Sequence, residues 1–135
     1  MQLSESIRTD FGSILIRGYV NNISGKENTP DGERLFDKLL SVIFQIEFGQ
    51  KKEEVLPSFA EQIMPVLMKK YKAHEQSYTR IEILQHLLNG SKEEVQYCYD
   101  TLVCFMDNFK ALNGMIAPTD TIFYYFVQKL GDALQ

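Results

Sequence analysis

The sequence predicts an all-α fold, a single domain of about six helices spanning residues 1–135. Three observations carry that prediction. Apolar residues recur at three- and four-residue spacing along most of the chain, the period of one helix face. No run of five or more residues alternates cleanly between apolar and polar, and neither Asn-Gly pair joins two β-branched runs. The breaks between periodic segments are clusters of Gly, Pro, Asn and Ser. The length suits one domain, and 44% hydrophobic residues suffice for its core.

The first helix is expected over about residues 4–23, with Ile7, Phe11, Ile14, Leu15 and Gly18 on one stripe and Ser4 as N-cap. "SGKENTPDG", residues 24–32, is turn chemistry and reads as the most polar stretch of the chain, expected as a flexible loop. A second helix follows over about residues 33–48, apolar on more than one face and stopped by Gly49. The third segment, about residues 52–73, holds Pro57 and Pro65. Pro57 is tolerated in a first turn, whereas an interior Pro65 removes a backbone donor and clashes one turn back. That predicts a kink between Glu61 and Pro65, or two short helices. The fourth helix, about residues 77–88, closes at Asn89-Gly90. The fifth opens with the capping box Ser91–Glu94 and runs to about residue 109. A loop with Pro118 follows, then Asp120 as N-cap of a sixth helix over about residues 121–134.

The last two helices have little polar surface. In "YCYDTLVCFMDNF", residues 97–109, Asp100, Thr101, Asp107 and Asn108 share a sector of roughly 120°. Cys98, Tyr99, Leu102, Val103, Cys104, Phe105, Met106 and Phe109 fill the rest. The sixth helix has a narrow polar strip of Thr121, Gln128, Lys129 and Asp132, with Tyr125 inside it. Such helices form the central pair of a sandwich or one side of a homodimer.

Several functions are disfavoured. A net charge of −4, with no basic cluster beyond Lys69, Lys70 and Lys72, argues against a nucleic-acid partner. "RIEILQHLLNGSKEEVQ" has helix-turn-helix rhythm, but its second helix offers Glu93, Glu94 and Asp100 where phosphate-reading side chains belong. The longest apolar run, residues 122–127, is far below the ~20 residues of a membrane span. The start lacks the pattern of a signal peptide. Cys98 and Cys104 lie roughly 9 Å apart along a helix axis, beyond the ~7 Å a disulfide tolerates, so they are expected as free thiols in a reducing cytoplasm. No nucleophile–base set, phosphate loop or metal motif is present, so no enzyme and no cofactor are expected.

Six helices in this order suit the A, B, E, F, G and H positions of a globin. His86 then occupies the place of a haem-binding proximal histidine. Ile81, Ile83, Leu84, Leu87 and Leu88 hold the apolar face of its helix, and His86 projects from the other side, one turn after Glu82. It reads as a surface residue, as does His74 at the end of the third helix, and no haem is expected.

Over essentially its whole length, through "IRTDFGSILIRGYV", "LLSVIFQIEFG" and "YCYDTLVCFMDNF", the chain resembles the haem-free, globin-fold sensor domains of sporulation histidine kinases and their free-standing, plasmid-encoded relatives in spore-forming bacilli. The resemblance implies a fatty-acid-like ligand in the space haem would occupy. For the free-standing form it also implies competition with the kinase for its signal, which lowers sporulation. A ligand chain between the bend at Pro65 and the fifth helix would be lined by Phe44, Phe59, Ile63, Met64, Leu67, Leu84, Tyr99, Val103 and Phe126. Tyr78 and Arg80 are the candidates for its carboxylate, with Lys72 near in sequence. The alternative is a ligand-free helical protein-binding module of inhibitor or immunity type, with a filled core.

Overall fold

The computed structural model describes residues 3–113 and 121–135; no β-strand occurs among them. Six α-helices carry these residues: α1 (Glu5–Gly18), α2 (Pro30–Phe48), α3 (Pro57–Ser77), α4 (Arg80–Leu88), α5 (Lys92–Asn113) and α6 (Thr121–Ala133). α1 runs on into a π-helical turn, Tyr19–Ile23, and a 3₁₀ turn, Lys52–Glu54, precedes α3. The all-α expectation holds. The expected Asp120 cap and Pro118 lie outside the described residues.

Local chemistry explains where helix ends differ from expectation. α2 starts three residues early, inside the segment read as loop. Thr29 caps it by accepting from Gly32 N at 3.0 Å, and Pro30 takes the first helical position. Gly32 is needed there because a β-carbon would stand 1.9 Å from the carbonyl oxygen of Lys26. Gly49, at φ 65°, ends α2 as anticipated. α3 continues to Ser77, and α4 begins after a capping box of Thr79 and Glu82. α3 is one continuous helix through Pro65, so the two-helix alternative is discarded. Pro65 and Glu61 are both exposed, so water can satisfy the Glu61 carbonyl that Pro65 leaves without a donor.

The central helix is α1. Every residue from Asp10 to Ile16 is buried, and α1 packs against α2, α3 and α4. The expectation of a central α5–α6 pair is corrected. α5 buries one stripe, Cys98, Leu102, Phe105 and Phe109, and α6 another, Phe123, Phe126 and Leu130. Small residues explain why α1 takes the centre. A β-carbon on Gly12 would lie 2.5 Å from the ring of Tyr71 in α3, and one on Gly18 would lie 2.7 Å from Phe123 in α6. Both rings therefore sit directly on the α1 backbone. Glu94 ties the N-terminus to α5: its carboxylate accepts from Ser4 N at 2.9 Å and Ser91 N at 3.0 Å. Among the described residues, no helix is long and apolar enough to cross a membrane.

Candidate functional site

The residues assigned to an apolar tunnel fall in three settings. Phe44, Leu67, Leu84 and Phe126 are fully buried in the protein interior. Ile63, Met64, Tyr99 and Val103 are half-buried. Phe59, Tyr78 and Arg80 are exposed. Phe44 and Phe59 are linked through Phe48, whose ring centroid lies 5.9 Å from the first and 5.6 Å from the second. Tyr78 lies on a different edge, its ring 4.7 Å from His74 and 5.5 Å from His86, in an open depression that includes Asp10.

Both histidines depart from the surface reading. His74 Nε2 lies 2.6 Å from Asp10 Oδ1, and His86 Nδ1 lies 3.2 Å from Asp10 Oδ2. Asp10 is 2% exposed, and both imidazoles are half-buried against it. Glu82 caps α4, accepting from Thr79 N at 3.1 Å, and its expected interaction with His86 is reduced to a minor electrostatic one. That backbone bond holds the Glu82 carboxyl below the usual range.

α1 carries further ionic contacts. Tyr71 donates its hydroxyl hydrogen bond to Glu47 of α2, and Arg8 and Lys70 each reach Glu47 at 3.7 Å. Burial, then the Glu47 carboxylate, pushes the Tyr71 hydroxyl well above the ordinary tyrosine range. Arg17 pairs with Glu75. Polar contacts thus run along the seam joining α1 to α3, although Arg8 Nε and Arg17 Nε are buried without a hydrogen-bond partner. Among the described residues, no group of three His, Cys, Asp or Glu is arranged to hold a metal ion.

The first half of α3 is different. Leu56, just before the helix, is 71% exposed, Phe59 42% and Val66 58%, with half-buried Ile63 between them. Their spacing of three, four and three residues makes a single apolar stripe about 15 Å long. The exposed Glu53 and Glu54 stand before it, and the exposed Lys69 and Lys70 stand after it. The tunnel reading takes only Phe59 and Ile63 of this stripe as lining. Phe59, Ile63 and Val66 adjoin a second apolar row, Met64, Leu67 and Tyr71; Leu67 and Tyr71 are in the core, and Ile63 and Met64 pack against its edge. No protein-family model, curated protein or solved structure matches the chain.

Proposed function

We propose that this chain is a helical protein-binding module, acting by binding rather than by catalysis, and that the first half of α3 is its docking face. The observation that carries the reading is the stripe of exposed Leu56, Phe59 and Val66 with half-buried Ile63 between them. Exposed apolar residues that share one helix face mark a contact surface more than scattered ones do. The occupant that fits is a second copy. The stripe is acidic at its beginning and basic at its end, so an antiparallel two-fold pairing sets Glu53 and Glu54 of one copy against Lys69 and Lys70 of the other. The homodimer expected through α5 and α6 is therefore proposed through α3. On α6, the rings of Tyr124 and Tyr125 are already covered, by Lys110 of α5 at 5.2 Å and by Lys129 at 5.7 Å.

Light scattering on the full chain and on Phe59→Glu tests the proposal. The expected result is a dimer at micromolar concentration that becomes a monomer in the variant, with Tyr125→Glu still dimeric. A monomeric wild type, or loss of the dimer only in Tyr125→Glu, overturns it.

The sensor reading, with a fatty-acid-like ligand acting on a histidine-kinase pathway, is the second proposal. Its support is a mostly apolar depression of about 170 Å³ beside the α1–α3 seam, where Ser13, Ile16 and Val20 meet Arg17, Lys72 and Glu75. That volume is below the ~300 Å³ at which enclosed ligand sites begin, so it suits a carboxylate head with the alkyl chain lying along the surface. A thermal shift with long-chain fatty acids that is lost in Lys72→Ala would favour this reading over the first.

A further inference from the structure

Lys38 of α2 and Cys104 of α5 meet where those helices touch, with Lys38 Nζ 2.7 Å from Cys104 Sγ. Asn108, one turn on, donates from Nδ2 to the Cys104 carbonyl at 2.7 Å and lies 3.7 Å from the same sulfur. Cys104 is half-exposed. Lys38 and Asn108 also line a depression of about 190 Å³ with Asp31, Arg34, Leu35 and Ala111; Cys104 itself is not in its lining. At about 30 Å³ per water molecule, that volume has room for a molecule the size of hydrogen peroxide. Arg34 is engaged by Asp31, which leaves the Lys38 ammonium as the cation directed at the sulfur.

Cys98, in the same helix, is the internal contrast. It is buried, and burial followed by the charge of Glu94 pushes its thiol up to about 12. A buried thiol of this kind is inert, whereas a partly exposed one beside a cation is where thiol reactivity is found. The two cysteines thus differ in access, in the sign of the neighbouring charge and in the presence of a proton donor.

We propose that Cys104 is an oxidation site for small hydroperoxides, with Lys38 as its proton donor. After the Cys104 thiol gives its proton to solvent, the sulfur attacks the terminal oxygen of the peroxide. An S–O bond forms, the O–O bond breaks, and the departing hydroxide (alkoxide from an organic hydroperoxide) takes a proton from the Lys38 ammonium to leave as water (or the alcohol). With hydrogen peroxide the products are the sulfenic acid of Cys104, one water and a neutral Lys38 amine, which recovers its proton from solvent. Sulfur is oxidised by two electrons and the peroxide oxygens are reduced by two. Lys38 and Asn108 then face the new S–O group as donors.

The experiment treats the reduced full-length chain with hydrogen peroxide, captures sulfenic acid with a dimedone probe, and reads each cysteine separately by peptide mass spectrometry. The same chain in denaturant supplies the unperturbed rate. Cys104 in the folded chain is expected to oxidise at least about ten-fold faster than in the unfolded chain, a modest part of what a positioned proton donor supplies. Cys98 should oxidise more slowly than in the unfolded chain. Lys38→Met should bring Cys104 back to the unfolded rate, and Lys38→Arg, which keeps the charge but gives up its proton poorly, should fall between. The proposal is overturned if folded wild-type Cys104 reacts no faster than unfolded, if Lys38→Met leaves its rate unchanged, or if Cys98 is oxidised first. The wild-type comparison stands even if a variant fails to fold.

Discussion

The two halves of α3 have similar apolar content and are covered to different extents. Before Pro65 the helix shows Phe59 to solvent, with Ile63 half-covered. Beyond it, Leu67 and Tyr71 are buried against α1, and His74 and Glu75 make ionic contacts with Asp10 and Arg17. Hydropathy does not separate the two halves; the presence of a neighbour does. Gly12 lets the Tyr71 ring lie on α1, so the second half is drawn in, and the first half is left with an apolar stripe. A helix that is apolar in both halves need not be buried in both, and its uncovered half is the better place to look for a partner.

The largest expected effect tests that contrast directly. Leu67→Ala, in the covered half, should destabilise the chain by about 2–5 kcal/mol in a denaturant titration, because it leaves a cavity in a closed core. Phe59→Ala, in the exposed half, should cost less than about 1 kcal/mol under conditions where the chain is monomeric. Equal losses would mean that the two halves are equally packed.

A smaller effect probes the polar seam. Tyr71→Phe removes the donor to Glu47 and should cost about 1–3 kcal/mol near neutral pH. The tyrosine also predicts alkaline sensitivity. Its folded-state pKa is raised, so the unfolded chain loses the proton first, and stability present below the ordinary value near 10 declines as pH rises beyond it. Cys98 acts in the same direction from about 9 upward, the thiol being held to about 12 in the fold. Thermal melts between pH 8 and 11 should show a falling melting temperature in wild type and a shallower fall in Tyr71→Phe. Parallel slopes would remove Tyr71 from the account.

The smallest effect lies at the other end of α1. Hydrogen bonds from Ser4 N, then Ser91 N, hold the Glu94 carboxyl below its usual range. A depressed carboxyl adds stability above the ordinary value near 4.5 that is lost as pH falls through the folded-state value. Solvent screening at this half-exposed site keeps Glu94→Gln to about 1 kcal/mol or less. The variant should flatten the acid limb of the stability curve without moving the alkaline one.

Much of this architecture was legible residue by residue. Ile7, Phe11, Ile14, Leu15 and Gly18 form the buried stripe of α1, Ser91 and Glu94 cap α5, and Gly49 stops α2, because each depends on partners within a few residues. The start of α2 was misread because a Thr29 cap followed by proline resembles an ordinary turn until the helix beyond it is seen. The histidines were misread for a different reason. Glu82 stands one turn before His86 in sequence, but Asp10, on another helix, claims it. The tunnel residues were drawn from a bend inferred at Pro65, and the structure distributes them between interior and surface.

Composition and periodicity by themselves determined that the chain is helical, where most helices lie, and that no described helix spans a membrane. Those properties rest on local backbone chemistry and on the count of apolar residues in a window, both complete in the sequence. Only the tertiary structure decided that α1 is the central helix, that Asp10 joins two histidines, that Lys38 faces Cys104, and that one half of α3 stays uncovered. Each of these depends on groups tens of residues apart in the chain. Which groups meet is set by how closely backbones can approach, as at Gly12 and Gly18, a quantity that periodicity does not carry.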